Sequence, residues 1–196
     1  MDFTFNEEQS LIQGQVEQFI QRDYDWETRQ SFISSDLGFS SDNWKTFAEL
    51  GWLGISLSEE SGGFGGTSID TMIVMEEFGK GLVLEPFLET VVMCAGLIDM
   101  AGSPEQKKDI LTGVVEGKTQ LSLAYAEPQS RFNLSDVMTE AKKEGDNFIL
   151  NGFKSVVMNG PNSHQIIVSA RTSGDQRDES GVSLFIVDAN SPGLSL

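Results

Sequence analysis

The chain contains few of the residues that build disulfides or metal sites. Among its 196 residues there is one cysteine and one histidine. A lone cysteine cannot form an internal disulfide, and a lone histidine cannot build a histidine-based metal cluster. We therefore predict no disulfide framework and no bound metal. Cys94 lies in an apolar run, so we expect a small core residue in a protein from a reducing compartment.

Positive charge is also scarce. Thirteen lysines and arginines stand against 30 aspartates and glutamates, which gives a formal net charge of −17. This charge repels nucleic acids and anionic lipid headgroups over a Debye length of about 8 Å at physiological ionic strength, so we predict no nucleic-acid partner. A phosphorylated cofactor is not excluded, because backbone N–H groups and a few local cations can bind a pyrophosphate whatever the net charge.

Long apolar runs are missing as well. No segment reaches the roughly 18 uninterrupted apolar residues that a membrane-spanning helix needs. The start, Met1-Asp2-Phe3-Thr4, has neither a basic region nor an apolar stretch. We expect no membrane span, no export signal and a cytoplasmic location. The composition, 39% hydrophobic and 22% charged, predicts a folded chain whose length permits one large core or two small ones.

Helical periodicity occupies the first part of the sequence. Apolar residues recur at three- and four-residue spacings in residues 6–22, and Asn6 with Gln9 resembles a capping box. Further helices are predicted at residues 25–34, 42–50, 67–78, 86–101 and 103–116. The helix after Thr67 has apolar residues around most of its circumference, which predicts a central helix packed on several sides.

Strand-like patterns replace helical ones after residue 117. Leu121, Leu123 and Tyr125 alternate with polar or small residues, the period of a half-buried strand. Other strand-like runs flank residues 144–146 and include residues 148–150, 156–157, 166–168 and 182–187, and Asn151-Gly152 predicts a two-residue hairpin turn. We predict an α+β protein with a helical domain at residues 1–117 and an antiparallel β-domain, an incomplete barrel or sandwich, at residues 118–196.

Residue types alone identify no catalytic centre. The glycine-rich run of residues 62–66 lacks the Lys-Ser/Thr of a P-loop and follows no βα unit, so it indicates a flexible or tightly turned connection. His164 lies beside a predicted turn, which favours a surface histidine over a catalytic relay. Adjacent carboxylates such as Glu76 and Glu77 do not face each other on a helix. These observations indicate only a two-part α+β protein.

A series of motifs resembles the acyl-CoA dehydrogenase family along the whole chain. In chain order they are Glu7-Glu8-Gln9, Trp52-Leu53-Gly54-Ile55, Glu59-Glu60-Ser61-Gly62-Gly63, Ala124-Tyr125-Ala126-Glu127-Pro128 in place of a Thr-Glu-Pro motif, and Asn151-Gly152-Phe153-Lys154 with Asn159-Gly160 in place of Asn-Gly-x-Lys…Asn-Gly. Within that family, Leu84-Glu85-Pro86-Phe87 and Val168-Ser169-Ala170-Arg171-Thr172 are most similar to small subunits of pimeloyl-CoA-type dehydrogenases.

The resemblance implies a flavoenzyme that uses FAD to convert an acyl-CoA thioester into a trans-2-enoyl-CoA. In this family a carboxylate removes the α-proton while the β-hydrogen leaves as hydride to the flavin N5. The resemblance also implies an acceptor of the electron-transfer flavoprotein type and a homo- or hetero-oligomer with another acyl-CoA dehydrogenase subunit. The family's catalytic carboxylate belongs to a C-terminal helical bundle that these 196 residues do not match. We therefore name no catalytic residue.

Position by position, the resemblance assigns flavin contacts to two segments. They are Leu123, Ala124, Tyr125 and Ala126 in the first, and Val156, Val157 and Met158 in the second. Phe132 stands where relatives have a serine close to bound acyl-CoA. Ala126 and Met158 replace threonines and Val156 replaces an aromatic residue, so hydroxyl donors and a stacking surface are lost.

Three functions remain open at this point. The chain is part of an FAD-dependent acyl-CoA dehydrogenase, or a non-catalytic small subunit that supports a flavin-bearing large subunit, or part of a related flavin oxidase with another substrate. The altered flavin positions favour the second reading, whereas the serial motifs favour the first. Neither acyl-chain length nor oligomeric state follows from the sequence.

Overall fold

The computed structural model describes residues 4–196, so the first three residues of the segment examined for an export signal lie outside the described residues. The chain divides into two compact units, Met1–Thr119 and Gln120–Leu196. The first unit is helical, and the second contains a β-sheet. This α+β arrangement, with helices first and strands second, confirms the predicted fold class.

Within its described residues, 4–119, the helical unit has four α-helices followed by two composite helices. They are α1 (Glu7–Asp23), α2 (Trp26–Ile33), α3 (Ser41–Glu49), α4 (Ser68–Gly81), α5, formed by a π-helical stretch Leu88–Ala95 and an α-helical stretch Gly96–Ala101, and α6, formed by Pro104–Gln106, the π-helical Lys107–Leu111 and Thr112–Val115. Short 3₁₀ turns cover Trp52–Gly54 and Glu59–Ser61. Within residues 4–196, no helix combines the length and apolar character that crossing a bilayer requires.

Side-chain caps fix where these helices begin. The Asn6 side chain accepts a hydrogen bond from the Gln9 amide at 2.8 Å, and the Gln9 side chain accepts one from the Asn6 amide. Thr67 and Ser103 head capping boxes of the same kind. Each cap satisfies N–H groups that the first helical turn leaves without an intrahelical partner. The predicted capping box of α1 is therefore confirmed.

Aromatic side chains form the centre of the helical unit. The rings of Phe47 and Phe78 stack with centroids 4.9 Å apart, and Trp52 lies 5.2 Å from Phe47. On α4, Ile73 and Val74 are buried, but Ile69 and Met72 are exposed. The prediction that α4 is packed on several sides is therefore wrong. Its apolar residues extend beyond the face that the aromatic core covers, and exposed apolar residues are common on protein surfaces.

The glycine-rich run at residues 62–66 is a tight connection, as the sequence predicted. The amides of Phe64, Gly65 and Gly66 donate to carbonyl oxygens within residues 54–57 at 2.8–3.0 Å. A Cβ atom built on Gly63 would lie 2.3 Å from the carbonyl oxygen of Leu57. These amides are already used inside the protein, so they cannot cradle a phosphate as the amides of a P-loop do.

The second unit is built around one central strand. Its strands are β1 (Leu121–Ala124), β2 (Glu140–Glu144), β3 (Asn147–Asn151), β4 (Gln165–Arg171) and β5 (Val182–Asp188). Strand β4 pairs in parallel with β1, antiparallel with β5, and in parallel with β2 through a single residue pair, Glu140 with Arg171. Strands β2 and β3 form an antiparallel hairpin.

The expectation of an antiparallel sheet is therefore wrong for two of the pairings, and the sheet is mixed and open. Residues 125–164 separate β1 from β4. A connection of this length lets the chain return and run in the same direction, which a short hairpin cannot do. Leu121, Ser122 and Ala124 are all buried. The half-buried alternation predicted for β1 is thus absent, because the rest of the protein covers both faces of this strand.

The hairpin of β2 and β3 turns within residues 144–146, between the two strand-like runs that the sequence indicated, whereas the turn predicted at Asn151-Gly152 does not form. Glu144 pairs with Asn147, so Gly145 and Asp146 form the turn, with Gly145 at φ 62°. Asn151 ends β3, and a Cβ atom on Gly152 would lie 2.3 Å from Thr139 Oγ1. Glycine is needed at residue 152 because Thr139 lies so close to its backbone, not because the chain reverses there.

The tight glycine connection makes a stability prediction. We expect Gly63→Ala to lower the free energy of unfolding of the helical unit by about 1–3 kcal/mol, because the new methyl group overlaps the Leu57 carbonyl. The matched control is Gly14→Ala on α1, where nothing lies within 4 Å, and it should raise stability by about 0.5–1 kcal/mol. Urea denaturation followed by tryptophan fluorescence measures both. Equal stability of Gly63→Ala and the unmodified protein would contradict the tight connection.

Candidate functional site

A buried carboxylate, Glu127, lies at the centre of the candidate site. Glu127 follows β1 closely and is only 3% exposed. Its two oxygens accept hydrogen bonds from Lys154 Nζ at 2.7 Å, Thr139 Oγ1 at 2.7 Å, the Thr139 amide at 3.0 Å, the Met138 amide at 2.7 Å and Gln129 Nε2 at 2.7 Å. Five donors satisfy the charge, so the carboxylate is a fixed anchor for the chain around it.

Lys154 extends this anchor to the central strand. Its ammonium group, buried like the Glu127 carboxylate, also donates to Ser169 Oγ on β4 at 2.9 Å. The ion pair therefore joins the loop after β1, the segment after β3 and strand β4. Both residues belong to the motifs on which the family resemblance rests, but nothing in the sequence indicated that they form a pair.

The two side chains have shifted pKa values with separate causes. Burial alone would raise the pKa of Glu127, but hydrogen bonds from Lys154, Thr139 and Gln129 outweigh burial and lower its pKa to about 2. Burial lowers the pKa of Lys154, and its hydrogen bond to Glu127 opposes that shift. Glu127 is therefore ionised throughout the physiological range. It has no proton to donate, so it serves as a structural anion and not as a general acid.

A main-chain hydrogen bond brings together the two segments assigned to the flavin. The Ser155 amide donates to the carbonyl oxygen of Ala126 at 2.9 Å. Residues 123–126 and 156–158 consequently lie next to each other. The strand predicted at Val156-Val157 does not form, because this stretch is irregular and Val156 has φ 55°. A left-handed backbone at a β-branched residue costs about 1–3 kcal/mol and persists only where surrounding contacts impose it.

The assigned residues differ in exposure. Tyr125, Val156 and Met158 lie on the surface, whereas Leu123, Ala126 and Val157 are half-buried and Ala124 is buried. Val156 is 81% exposed. Phe132 is 99% exposed, on the loop between Ser130 and Asp136 that leads to β2. The structure thus brings the two flavin segments together and leaves Phe132 on a separate loop.

Backbone donors are available at this surface. In the part of the chain that the structure describes, the amides of Val156, Val157 and Met158 donate to no internal acceptor. The side chains of these residues offer no hydroxyl or amide donor of their own. Main-chain N–H groups are strong donors whatever the side chain. A ligand with acceptor atoms can therefore still be recognised here although the side chains depart from the family pattern.

A second carboxylate, Asp136, continues the polar network. It accepts from Gln176 Nε2 at 2.6 Å and from Arg177 Nε at 2.7 Å, and Gln129 Nε2 lies 3.4 Å from it. Gln129 also donates to Glu127, so one amide group contacts both carboxylates. Sequence reasoning missed this network, because its members are scattered along irregular loops without any periodic signal.

Arg171 stabilises the same loops without a carboxylate partner among residues 4–196. It is buried at the end of β4 and donates only to backbone carbonyls, those of Val137, Ser173, Ser180, Ser135, Gln176 and Asp178 at 2.7–3.4 Å. A cavity of about 390 Å³ lies beside it, lined by Val137, Met138 and residues 140–142 and 171–176. This cavity includes none of the residues assigned to the flavin.

The side chains of Cys94 and His164, which could react in other settings, are inert here. Cys94 is buried, as predicted, and burial raises the pKa of its thiol to about 12, so it is no nucleophile. His164 is exposed, as predicted, and its Nδ1 accepts from the Gln120 amide at 3.0 Å. Among residues 4–196, no three His, Cys, Asp or Glu side chains group in a way that could hold a metal ion.

Two family models match almost the whole chain. Residues 6–118 match the acyl-CoA dehydrogenase N-terminal domain, and residues 122–196 match the acyl-CoA dehydrogenase middle domain. The second match contains Glu127, Lys154 and both segments assigned to the flavin.

Curated relatives agree with these matches. Isobutyryl-CoA dehydrogenase from Dictyostelium discoideum is 36% identical over 158 residues, which cover 80% of this chain and 38% of the relative. The short-chain specific acyl-CoA dehydrogenase of Clostridium acetobutylicum is 28% identical over 201 residues, which cover all of this chain and 52% of the relative. The chain therefore spans about half the length of the relatives it matches, or less.

Solved structures share the fold. The ChsE4-ChsE5 complex from Mycobacterium tuberculosis aligns over 100% of this chain and 50% of its own, with a TM-score of 0.87 and 26% identity. The FAD complex of PigA aligns over 98% of this chain and 51% of its own, with a TM-score of 0.88 and 28% identity.

The lowered pKa of Glu127 predicts acid sensitivity of the β unit. The pKa is about 2 in the folded protein and near 4.5 when unfolded. The ionised carboxylate therefore stabilises the fold above about pH 4.5, and this contribution, about 3 kcal/mol, is lost as the pH falls towards 2. Urea titrations at several pH values, followed through the NMR signals of β4, should show this loss. In Glu127→Gln the loss should be smaller by that amount, because other carboxylates with a lowered pKa, such as Asp136, still titrate, and equal pH dependence in the two proteins would contradict the assignment.

Proposed function

Because the chain belongs to the acyl-CoA dehydrogenase family, we propose that it takes part in the FAD-dependent α,β-dehydrogenation of an acyl-CoA thioester to a trans-2-enoyl-CoA. One observation carries the proposal beyond family membership. The Ala126–Ser155 hydrogen bond and the Glu127–Lys154 ion pair hold together the two segments assigned to the flavin. Val156 lies beside these contacts with a φ of 55°, and strained backbone of this kind clusters at functional sites.

The residues present fit FAD through their main chain. The amides of Val156, Val157 and Met158 have no internal acceptor within the described chain and would donate to carbonyl and nitrogen acceptors of the isoalloxazine ring. Tyr125 and Met158 supply apolar surface next to them. Bound FAD supplies the hydride acceptor that the dehydrogenation requires. The protein's part is to orient the ring and to keep its donors fixed before the substrate arrives.

The substrate and redox partners follow from the same proposal. Phe132, on its exposed loop, contacts the acyl-CoA at a position where relatives have serine. A phenyl ring offers a thioester apolar contact but no hydrogen bond. Electrons leave to an acceptor of the electron-transfer flavoprotein type, and the chain assembles with another acyl-CoA dehydrogenase subunit.

The altered flavin positions support a second candidate, a non-catalytic small subunit that supports a flavin-bearing partner. Val156 offers no aromatic face for stacking, and Ala126 and Met158 offer no hydroxyl. A partner subunit that supplied the missing contacts would make these losses tolerable. The similarity to the ChsE4-ChsE5 complex, an assembly of two different proteins, is compatible with this role.

Restoring one lost hydroxyl tests the location of the flavin. We expect Met158→Thr to tighten FAD binding about fivefold, because one added hydrogen bond contributes about 1 kcal/mol. The control is Met100→Thr on α5, another exposed methionine, which should change nothing. FAD titration of the full-length protein, with and without a partner subunit, measures both through absorbance and fluorescence. If the two variants bind FAD with equal affinity, the flavin does not bind next to Met158.

The same titration separates the two candidates. Tight FAD binding and acyl-CoA oxidation by the full-length protein alone would establish a dehydrogenase in its own right. Binding only in the presence of a partner subunit would establish the supporting role. No FAD binding under either condition would refute both.

A further inference from the structure

The ion pair between Glu127 and Lys154 lies next to a main-chain contact that joins the same two segments. Lys154 precedes Ser155, whose amide donates to Ala126, and Ala126 precedes Glu127. The two contacts therefore lie next to each other. One joins two side chains, and the other joins two backbones. Together they fix the register of the segment after β3 against the segment after β1.

Val156 directly follows these two contacts and has the least favourable backbone conformation of the segment. Its φ of 55° is a conformation that a β-branched residue leaves unless neighbouring contacts prevent it. The Val156 side chain is largely exposed, so side-chain packing does not hold it. The constraint therefore comes from the backbone on either side. Before Val156, Lys154 donates to both Glu127 and Ser169, and after it the Gly160 amide donates to the carbonyl oxygen of Val157.

We propose that Glu127 and Lys154 are positioning residues which hold Val156 in its left-handed conformation and thereby present the amides of residues 156–158 to the flavin. The proposal rests on the function proposed above. Neither residue touches the flavin in this account, and neither is a catalytic residue. Both act through the backbone that they fix, and the remaining bonds of Glu127, from Gln129, Met138 and Thr139, keep the carboxylate itself in place.

The ligand-free protein offers the first test. Lys154→Met removes the cation, so we expect the Ser155 amide, protected by Ala126, to exchange with solvent at least tenfold faster. The Cα and Hα chemical shifts of Val156 should also move away from left-handed values. Lys154→Arg keeps the charge and should restore most of the protection. The matched control is Lys142→Met, which breaks the exposed pair with Glu140 on β2 and should leave Ser155 unchanged.

A folding control keeps this test decisive. Amides of β4 and β5 should keep their protection in each variant, which shows that the sheet is intact. If Lys154→Met does not fold because Glu127 is left buried without its cation, the double variant Glu127→Gln/Lys154→Met removes both charges. It should fold and should still show the faster exchange at Ser155. Unchanged exchange at Ser155 together with unchanged Val156 shifts, in whichever variant folds, would overturn the positioning role.

Flavin binding gives the second readout. Where the unmodified protein binds FAD, alone or with its partner subunit, Lys154→Met should weaken binding at least tenfold, and Lys142→Met should not. Altered Ser155 exchange in a protein that never binds FAD would refute the proposed function and leave the structural role intact. FAD binding of equal strength in Lys154→Met and the unmodified protein would refute the positioning role and leave the proposed function intact.

Discussion

A carboxylate in a protein interior has to be surrounded by donors, and in the β unit that requirement organises the surface where we place the flavin. Glu127 is satisfied only when Lys154, the backbone amides of residues 138 and 139, and the side chains of Gln129 and Thr139 all converge on it. These donors come from separate stretches of chain, so satisfying the charge brings the stretches together. Removing one donor would leave part of a buried charge unpaired, which is costly in a low-dielectric interior. This constraint and the hydrogen bond from the Ser155 amide to Ala126 together set the position of the segment after β3.

The motifs that relate the chain to acyl-CoA dehydrogenases have a physical meaning in this setting. The glutamate of the Glu-Pro motif is the anchor, and the lysine of the Asn-Gly-x-Lys motif is its counter-ion. The glycine of the latter motif lets the backbone pass against Thr139, which is itself bound to Glu127. The motifs thus encode a scaffold, whereas the side chains that would touch the flavin have changed. Recognition by main-chain amides tolerates such changes, because an amide donates in the same way at Val156 or Met158 as at the residues that relatives carry there.

Local features of the fold were predictable from the sequence, and non-local ones were not. The capping residues of α1, the end of α3 near residue 50 and the tight glycine connection depend on neighbouring residues, and each was predicted. The parallel pairing of β1 with β4 depends on residues far apart in the chain, and no local pattern predicts it. Val156-Val157 has the composition of a strand, yet the contacts of Lys154 and Ser155 override that preference. Asn151-Gly152 has the composition of a turn, but its glycine serves a close approach. The Glu127 network could not be predicted from the sequence, because each of its members, taken alone, is an ordinary polar residue.

We propose that the fixed backbone of residues 156–158 receives the flavin. The most direct measurement is an amide NMR spectrum of the isotope-labelled protein, with its partner subunit where binding requires one, recorded before and after addition of FAD. We expect the largest shift changes at the amides of Val156, Val157 and Met158, with little change in β5. Binding of FAD that left these three amides unshifted while other surfaces responded would contradict it.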